Sequence, residues 1–344
     1  MMRFKAFPPV ALLLAGAMAA PAADESAPVP LSQTPAAVQT AIAARIGDGT
    51  LGEIDRSDEG GETTFDVSFT SKAGDEGGFS VAADGKLTST EVTFAQTPAA
   101  VHRTIQAEAA GWVLDGIDKN LDNAGTTYDV EVTKDGRTQN FTVDDDGTLL
   151  SVAVALAETP AAVQKAIQAQ AGGGEIESID KNLDDTEITY DIKAAGNGRT
   201  RSFTVADDGT LVSEEVALAE TPAPAQAAIA RQIAGGAVKS IDESMDPDGN
   251  TFDVDAVAKD GSAISFTVGA GGSLLAEEVT LNQIPPAARK TIQDQIGAGK
   301  IIEIDRSLVE KTGKVLPYEV QGRKGGKPFN FSVGPKGRFL GMDE

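Results

Sequence analysis

The stretch from Leu156 to Val216, LAETPAAVQKAIQAQAGGGEIESIDKNLDDTEITYDIKAAGNGRTRSFTVADDGTLVSEEV, holds the plan of the chain in a single copy. Apolar residues recur every fourth position at Val163, Ile167 and Ala171, which puts one narrow stripe on a helix opened by Pro160 and stopped by Gly172. Proline has no amide to leave unpaired in a first turn, and the Thr159 hydroxyl before it is placed to accept from a free amide as an N-cap. The period then drops to two. Ile179-Asp180, Tyr190-Asp191-Ile192 and Phe203-Thr204-Val205 alternate apolar and polar residues, the pattern of antiparallel strands buried on one face. Asp208-Gly209 marks a tight turn, and Leu211 to Val216 reads as a fourth strand running almost directly into another helix.

The same plan recurs along the chain. Pro35, Pro98, Pro160, Pro222 and Pro285 stand in register at intervals of 63, 62, 62 and 63 residues. An apolar residue sits four positions before each (Leu31, Phe94, Leu156, Leu218, Leu281), and a threonine directly before all but the last, where Ile284 loses the cap. Glycines at Gly47, Gly111, Gly172, Gly235 and Gly297 mark the helix stops. The Ile-Asp pair recurs at Ile54, Ile117, Ile179, Ile241 and Ile304, and the aromatic-acid-aliphatic triplet at Phe65, Tyr128, Tyr190, Phe252 and Tyr318. The third strand repeats as Phe79, Phe141, Phe203, Phe266 and Phe331, each followed by Ser or Thr and then Val. The expected architecture is α+β, five tandem repeats at 31–93, 94–155, 156–217, 218–280 and 281–344, each one helix packed on a four-stranded antiparallel sheet. The aromatic of each second strand is expected in the core.

Residues 1–23 read as a signal peptide, with Arg3 and Lys5 ahead of an apolar run from Val10 to Ala20, and 24–30 as a linker. The run is too short to cross a bilayer, so a secreted or periplasmic protein without a membrane span is expected. The absence of cysteine excludes a disulfide framework and a thiolate metal site. Without residues 1–23 the chain carries 27 basic against 52 acidic residues, a net of −25, which repels nucleic acid and favours cationic partners or divalent ions. Solubility in a salty setting explains the same charge.

A dedicated site should show as a departure from the repeat. His102, the sole histidine, replaces Gln39, Gln164, Gln226 and Arg289 on a polar helix face and is expected to be solvated. Trp112 stands in the turn after the second helix, where it could offer a stacking platform to a peptide or sugar or cover a neighbouring repeat. Asp246, Asp248 and Asn250 open like a calcium loop, but Thr251 and Val257 occupy the glycine and glutamate positions, and Pro-Asp-Gly-Asn reads as a hairpin turn first. Asp144-Asp145-Asp146 is likewise a turn. No nucleophile elbow, P-loop or dinucleotide fingerprint occurs, and with acids repeating at fixed strand positions and only 5% aromatic residues, no catalytic residues are assigned. No cofactor or metal site is expected beyond a weak claim for calcium.

The order of proline-opened helix, Ile-Asp strand, Tyr-Glu-Val strand (Tyr318-Glu319-Val320), Phe-x-Val strand and Asp-Gly turn resembles the PepSY-like module and its beta-lactamase-inhibitor-like relatives, over about residues 31 to 344. The resemblance implies a helix packed on an antiparallel sheet, an envelope or secreted location, and a binding role that includes restraint of peptidases. Five copies, and Asp or Phe where the motif has Glu or Tyr, depart from the usual pattern. The expected function is a non-enzymatic protein that binds another envelope or extracellular protein, with a peptidase as one such partner. An acidic structural or calcium-buffering surface array is the alternative.

Charge is uneven along the chain. Residues 281–344 carry 11 basic against 7 acidic residues, a net of +4, with Lys311, Lys314, Arg323, Lys324, Lys327, Lys336 and Arg338 around the hairpin and turns. These are either a solvated cap or a docking end, for an anionic envelope component or for head-to-tail association with acidic repeats of another copy. Trp112, Lys311, Lys314, Arg323, Lys324 and Lys327 are thus the candidate binding residues.

A unit of about 62 residues buries only about 60% of its unfolded surface, and five residues separate Val92 from Pro98. Repeats so small and so closely joined should support one another. Residues 156–217 alone are therefore expected to unfold at markedly lower denaturant than residues 94–280; equal midpoints would indicate independent beads.

Overall fold

The computed structural model describes residues 27–59, 62–121, 125–183, 188–196, 199–245, 249–297, 299–308, 316–324 and 327–342. Residues 1–23, read from sequence as a signal peptide, and Asp246, Asp248, Lys311 and Lys314 lie outside these. The chain divides into two compact units, one of residues 27–121 and 126–152, the other of residues 153–342.

The first unit runs β1 (Ala27–Pro28), α1 (Ala36–Ile46), β2 (Thr50–Glu59), β3 (Glu62–Thr70), β4 (Glu76–Ala82), β5 (Leu87–Glu91), α2 (Ala99–Glu108), β6 (Val113–Leu121), β7 (Thr126–Lys134), β8 (Arg137–Asp144) and β9 (Leu149–Ala153). The second runs α3 (Ala161–Ala171), β10 (Glu175–Leu183), β11 (Ile188–Gly196), β12 (Arg199–Ala206), β13 (Leu211–Glu215), α4 (Ala223–Ile233), β14 (Ala237–Ser244), β15 (Thr251–Val257), β16 (Ala263–Gly269), β17 (Leu274–Glu278), α5 (Pro286–Ile296), β18 (Lys300–Ser307), β19 (Tyr318–Lys324), β20 (Lys327–Val333) and β21 (Phe339–Met342). The class is α+β, with helix-and-strand repeats and antiparallel pairing throughout. A separate sheet for each repeat is not what forms. The last strand of one repeat pairs with the first of the next, β5 with β6, β13 with β14 and β17 with β18, so within each unit the sheet continues across the repeat boundary.

Period two explains the layering. In the second repeat Ile117, Tyr128, Val130, Phe141 and Val143 turn to one face and close on Val101 and Ile105 of α2, all nearly free of solvent. Four further clusters repeat this arrangement, each with one helix on its own strands. Phe65, Tyr128, Tyr190, Phe252 and Tyr318 are all buried, as the second-strand pattern requires. The Tyr190 hydroxyl still reaches Asp207 Oδ1 at 3.1 Å, and burial together with that contact pushes its pKa up to about 12.

The helix entry differs from the expected N-cap. A short 3-10 turn, Leu156–Glu158 in the third repeat, precedes each helix, and the Thr159 hydroxyl donates backwards to the Leu156 carbonyl at 2.9 Å. Thr34, Thr97 and Thr221 do the same, and the helices take Pro35, Pro98, Pro160, Pro222 and Pro285 as N-caps without a side-chain bond. The position is buried in Thr34, Thr159 and Thr221, so Ile284 does not lose a cap; it fills the same space with apolar surface. The 3-10 turn is closed by its third residue, as where Glu158 Oε2 and Glu220 Oε2 accept from the Ala155 and Ala217 amides at 2.8 Å. Two helix stops also move: α2 ends at Ala109 and α4 turns left-handed at Ala234, each ahead of the glycine.

The Asp-Gly turn does more than reverse the chain. Gly209 has φ +88°, and a Cβ there would lie 2.8 Å from the carbonyl oxygen of Ala162 in the first turn of α3. Gly85, Gly147, Gly272 and Gly337 meet Ala37, Ala100, Pro224 and Ala287 in the same way, so this glycine sets how closely helix and sheet approach. Gly173, at φ +86°, has open space around it. Gly173→Ala is expected to cost about 1–2 kcal/mol for the left-handed backbone. Gly209→Ala should add about 1–3 kcal/mol for the displaced helix, read as the difference between the two variants in denaturant unfolding.

Candidate binding face

Within each unit the helices close on the apolar face of their strands, and the polar partners of the alternation stand on the other face. In each repeat the aspartate of the first strand lies directly opposite an acid of the second: Asp55 with Asp66, Asp118 with Asp129, Asp180 with Asp191, Asp242 with Asp253, and Asp305 with Glu319. Cross-repeat pairing lengthens the row, because Glu91 lies opposite Asp118, Glu215 opposite Asp242 and Glu278 opposite Asp305. Like charges directly opposite on neighbouring strands destabilise a sheet.

Hydroxyls and amides relieve the second-strand acids. Ser80, Thr142, Thr204 and Thr267 on the third strand donate to Asp66, Asp129, Asp191 and Asp253 at 2.5, 2.7, 2.7 and 2.7 Å. Asn120 and Asn182 donate to the other oxygen of Asp129 and Asp191 at 2.6 and 2.7 Å, and Ser307 to Glu319 at 3.1 Å. Asp118, Asp242 and Asp305 on the first strands carry raised pKa values. Partial burial, then the charges of Glu91, Asp129, Glu131 and Asp66, push Asp118 up to about 6. Burial, then Glu215, Asp253 and Asp255, push Asp242 up to about 7. Asp305 rises to about 6 through burial, Glu278, Glu319 and Asp253, and Glu303 to about 7 through burial, Asp305, Glu278, Asp253 and Asp255.

The residues singled out from sequence fall elsewhere. Trp112 is partly buried against its own repeat's core, not a neighbour's, and Lys134 Nζ lies 5.8 Å from its ring centroid. The residue beside it, Val113, is 66% exposed and was not picked out by pattern. In the second unit, strand register sets Lys324 opposite Lys327 and Arg323 opposite Pro328 at the end of the β19–β20 hairpin, and Lys324 is exposed. His102 is not simply solvated. Its ring lies 3.7 Å from that of Phe94, whereas Gln39, Gln164 and Gln226 at this position donate to the carbonyls of Thr34, Thr159 and Thr221 at 2.8 Å. Asn250 donates to Glu243 Oε1 at 2.7 Å, a hairpin contact. Sequence reading noted the acids of the first two strands but missed Glu91, Glu215 and Glu278. Their signal was available: each stands seven residues before a repeat proline.

Residues 63–151 match a family model described as "Putative beta-lactamase-inhibitor-like, PepSY-like". No curated protein matches the sequence. Among solved structures, a BLIP-like protein from Bacteroides fragilis is 13% identical with a TM-score of 0.27, covering 34% of this chain and 84% of its own. A DUF2874 family protein from Bacteroides ovatus is 15% identical with a TM-score of 0.27, covering 34% and 84%. A protein from Bacteroides eggerthii, titled one of its "putative periplasmic proteins", is 18% identical with a TM-score of 0.28, covering 35% and 87%.

Raised carboxyl pKa values mean that the folded chain holds protons the unfolded chain has already released. Between about pH 4, the ordinary carboxylate range, and the raised values near 6 and 7, acidification therefore favours the folded state, and this stabilisation is lost as pH rises through them. The melting temperature is expected to be higher at pH 5 than at pH 7.5 at fixed ionic strength. Asp242→Asn should raise it at pH 7.5 and flatten the response; a chain most stable above pH 7 would contradict the assignment.

Proposed function

We infer that the chain, with its PepSY-like, beta-lactamase-inhibitor-like match at residues 63–151, is an exported, non-enzymatic repeat protein that binds another envelope or extracellular protein through its acidic sheet face. The observation that carries this reading is the carboxylate row on the helix-free face. Five repeats keep first-strand aspartates partly buried beside like charges, at a cost to stability that neutral residues would remove. A basic protein surface laid on that face offsets the repulsion, and complementary charge speeds encounter. The repeats at 31–93, 94–155, 156–217, 218–280 and 281–344 each contribute a carboxylate pair to the face of their own unit, and a peptidase is the first partner class to test. Removal of residues 1–23 places the mature chain in the periplasm or outside the cell.

The same row favours a second reading, an acidic array that collects calcium. Among the described residues no group of three or more His, Cys, Asp or Glu side chains is placed to hold a metal ion, so this reading concerns diffuse binding. A melting temperature raised by millimolar calcium, and not by sodium at equal ionic strength, would support it.

Crosslinked capture from the native envelope or culture fluid separates the face from the rest of the surface. Asp118→Asn with Asp242→Asn is expected to abolish low-salt capture of the partner while leaving the fold more stable at neutral pH. Undiminished capture by the double variant would move the binding site off this face.

A further inference from the structure

Inside the chain, one junction is built three times. Ser89, Thr90 and Glu91 of β5 lie opposite Asn120, Lys119 and Asp118 of β6. Ser213 to Glu215 of β13 pair with Ser244 to Asp242 of β14, and Ala276 to Glu278 of β17 with Ser307 to Asp305 of β18. The Leu275 carbonyl extends the last pairing by accepting from the Leu308 amide at 2.7 Å, and Val212 does the same from Met245 at 2.9 Å.

β21 is the equivalent strand of the fifth repeat. Val333 lies opposite Phe339 and Ser332 opposite Gly341, as Val268 lies opposite Leu274 and Thr267 opposite Ala276. Among the described residues no strand pairs with its outer edge, where the backbone of Leu340 and Met342 corresponds to that of Leu275 and Glu277. The side chains along this edge are apolar and exposed. Phe339, Leu340 and Met342 are 38%, 41% and 59% exposed, and Met342 stands where β13 and β17 carry Glu214 and Glu277. At the other end of the repeat series, among the described residues, the edge of β2 is covered by β1 and Val29: Ala27 lies opposite Arg56, Pro28 opposite Asp55, and the Val29 amide donates to the Ile54 carbonyl at 2.8 Å.

We propose that β21 of one copy pairs with β2 of a second copy, displacing β1 and reproducing the internal junction head to tail. In that register Met342 faces Arg56 and Gly341 faces Ser57, the counterparts of Glu277 with Arg306 and Ala276 with Ser307. Charge favours this occupant. Residues 281–344 are net +4, whereas residues 31–93 hold 4 basic against 11 acidic residues, a net of −7. The contact is heterologous, so it propagates into open chains of copies and does not close as a symmetric dimer. Salt weakens the charge contribution, with a Debye length of about 10 Å at 0.1 M and about 3 Å at 1 M, and leaves the strand pairing.

The absence of cysteine makes the register directly testable. The mature chain is expected to show concentration-dependent assembly in sedimentation at low salt, reduced at high salt. Met342→Pro removes an outward amide of the edge and should abolish assembly without lowering the melting temperature. Mixed Met342→Cys and Arg56→Cys chains should form a disulfide heterodimer on oxidation, whereas Met342→Cys mixed with Lys72→Cys, an exposed hairpin position in the same repeat as Arg56, should not. A monomer at every concentration, assembly that survives Met342→Pro, or equal crosslinking of both mixtures would each overturn the proposal, even if some other extended peptide occupied the edge.

Discussion

Strand pairing across repeat boundaries is the interaction on which the rest of the molecule depends, because a repeat of this size buries little interior of its own. Each helix closes a core of seven to ten buried residues on its own strands, and within each unit the last strand then completes the sheet of the next repeat. Within each unit the backbone groups at the boundary are thereby paired. The short connection through the 3-10 turn and the proline follows from the same geometry, since the chain must leave the sheet edge and cross directly over the strands it has just joined.

Pairing also fixes where the charge goes. Once the apolar residues of the alternation face the helices, the acids of adjacent strands have no choice but to meet on the opposite face, and cross-repeat pairing adds a third carboxylate at three junctions. Third-strand hydroxyls bond Asp129 and Asp253, while their partners Asp118 and Asp242 keep raised pKa values. The surface that costs stability in isolation is also the one that a basic partner or divalent ions would relieve. On the proposed reading, stability and recognition are set by the same side chains, and acid pH should substitute for the partner by protonating them.

Much of this was legible from the residues. Proline spacing gave the five repeats, the change of period from four to two separated helix from strands, and the aromatic of the second strand proved buried in all five copies. Local chemistry was read less well. Thr159 looks like an N-cap in sequence, but its hydroxyl bonds the Leu156 carbonyl because a 3-10 turn, invisible to periodicity, brings that oxygen closer than any first-turn amide. His102 reads as solvated until the turn sets Phe94 beneath it.

By itself the sequence determined what is periodic: the number of repeats, the order of elements, and which residues face the helices, because side-chain alternation along a strand is a local property of the backbone. Which strand lies beside which is not local. Only the tertiary structure joined Glu91 to Asp118 and Glu278 to Asp305. The same separation recurs between Glu215 and Asp242, so it follows the repeat, but spacing alone does not say that the two strands are neighbours; that is settled by how the chain returns through the helix between them.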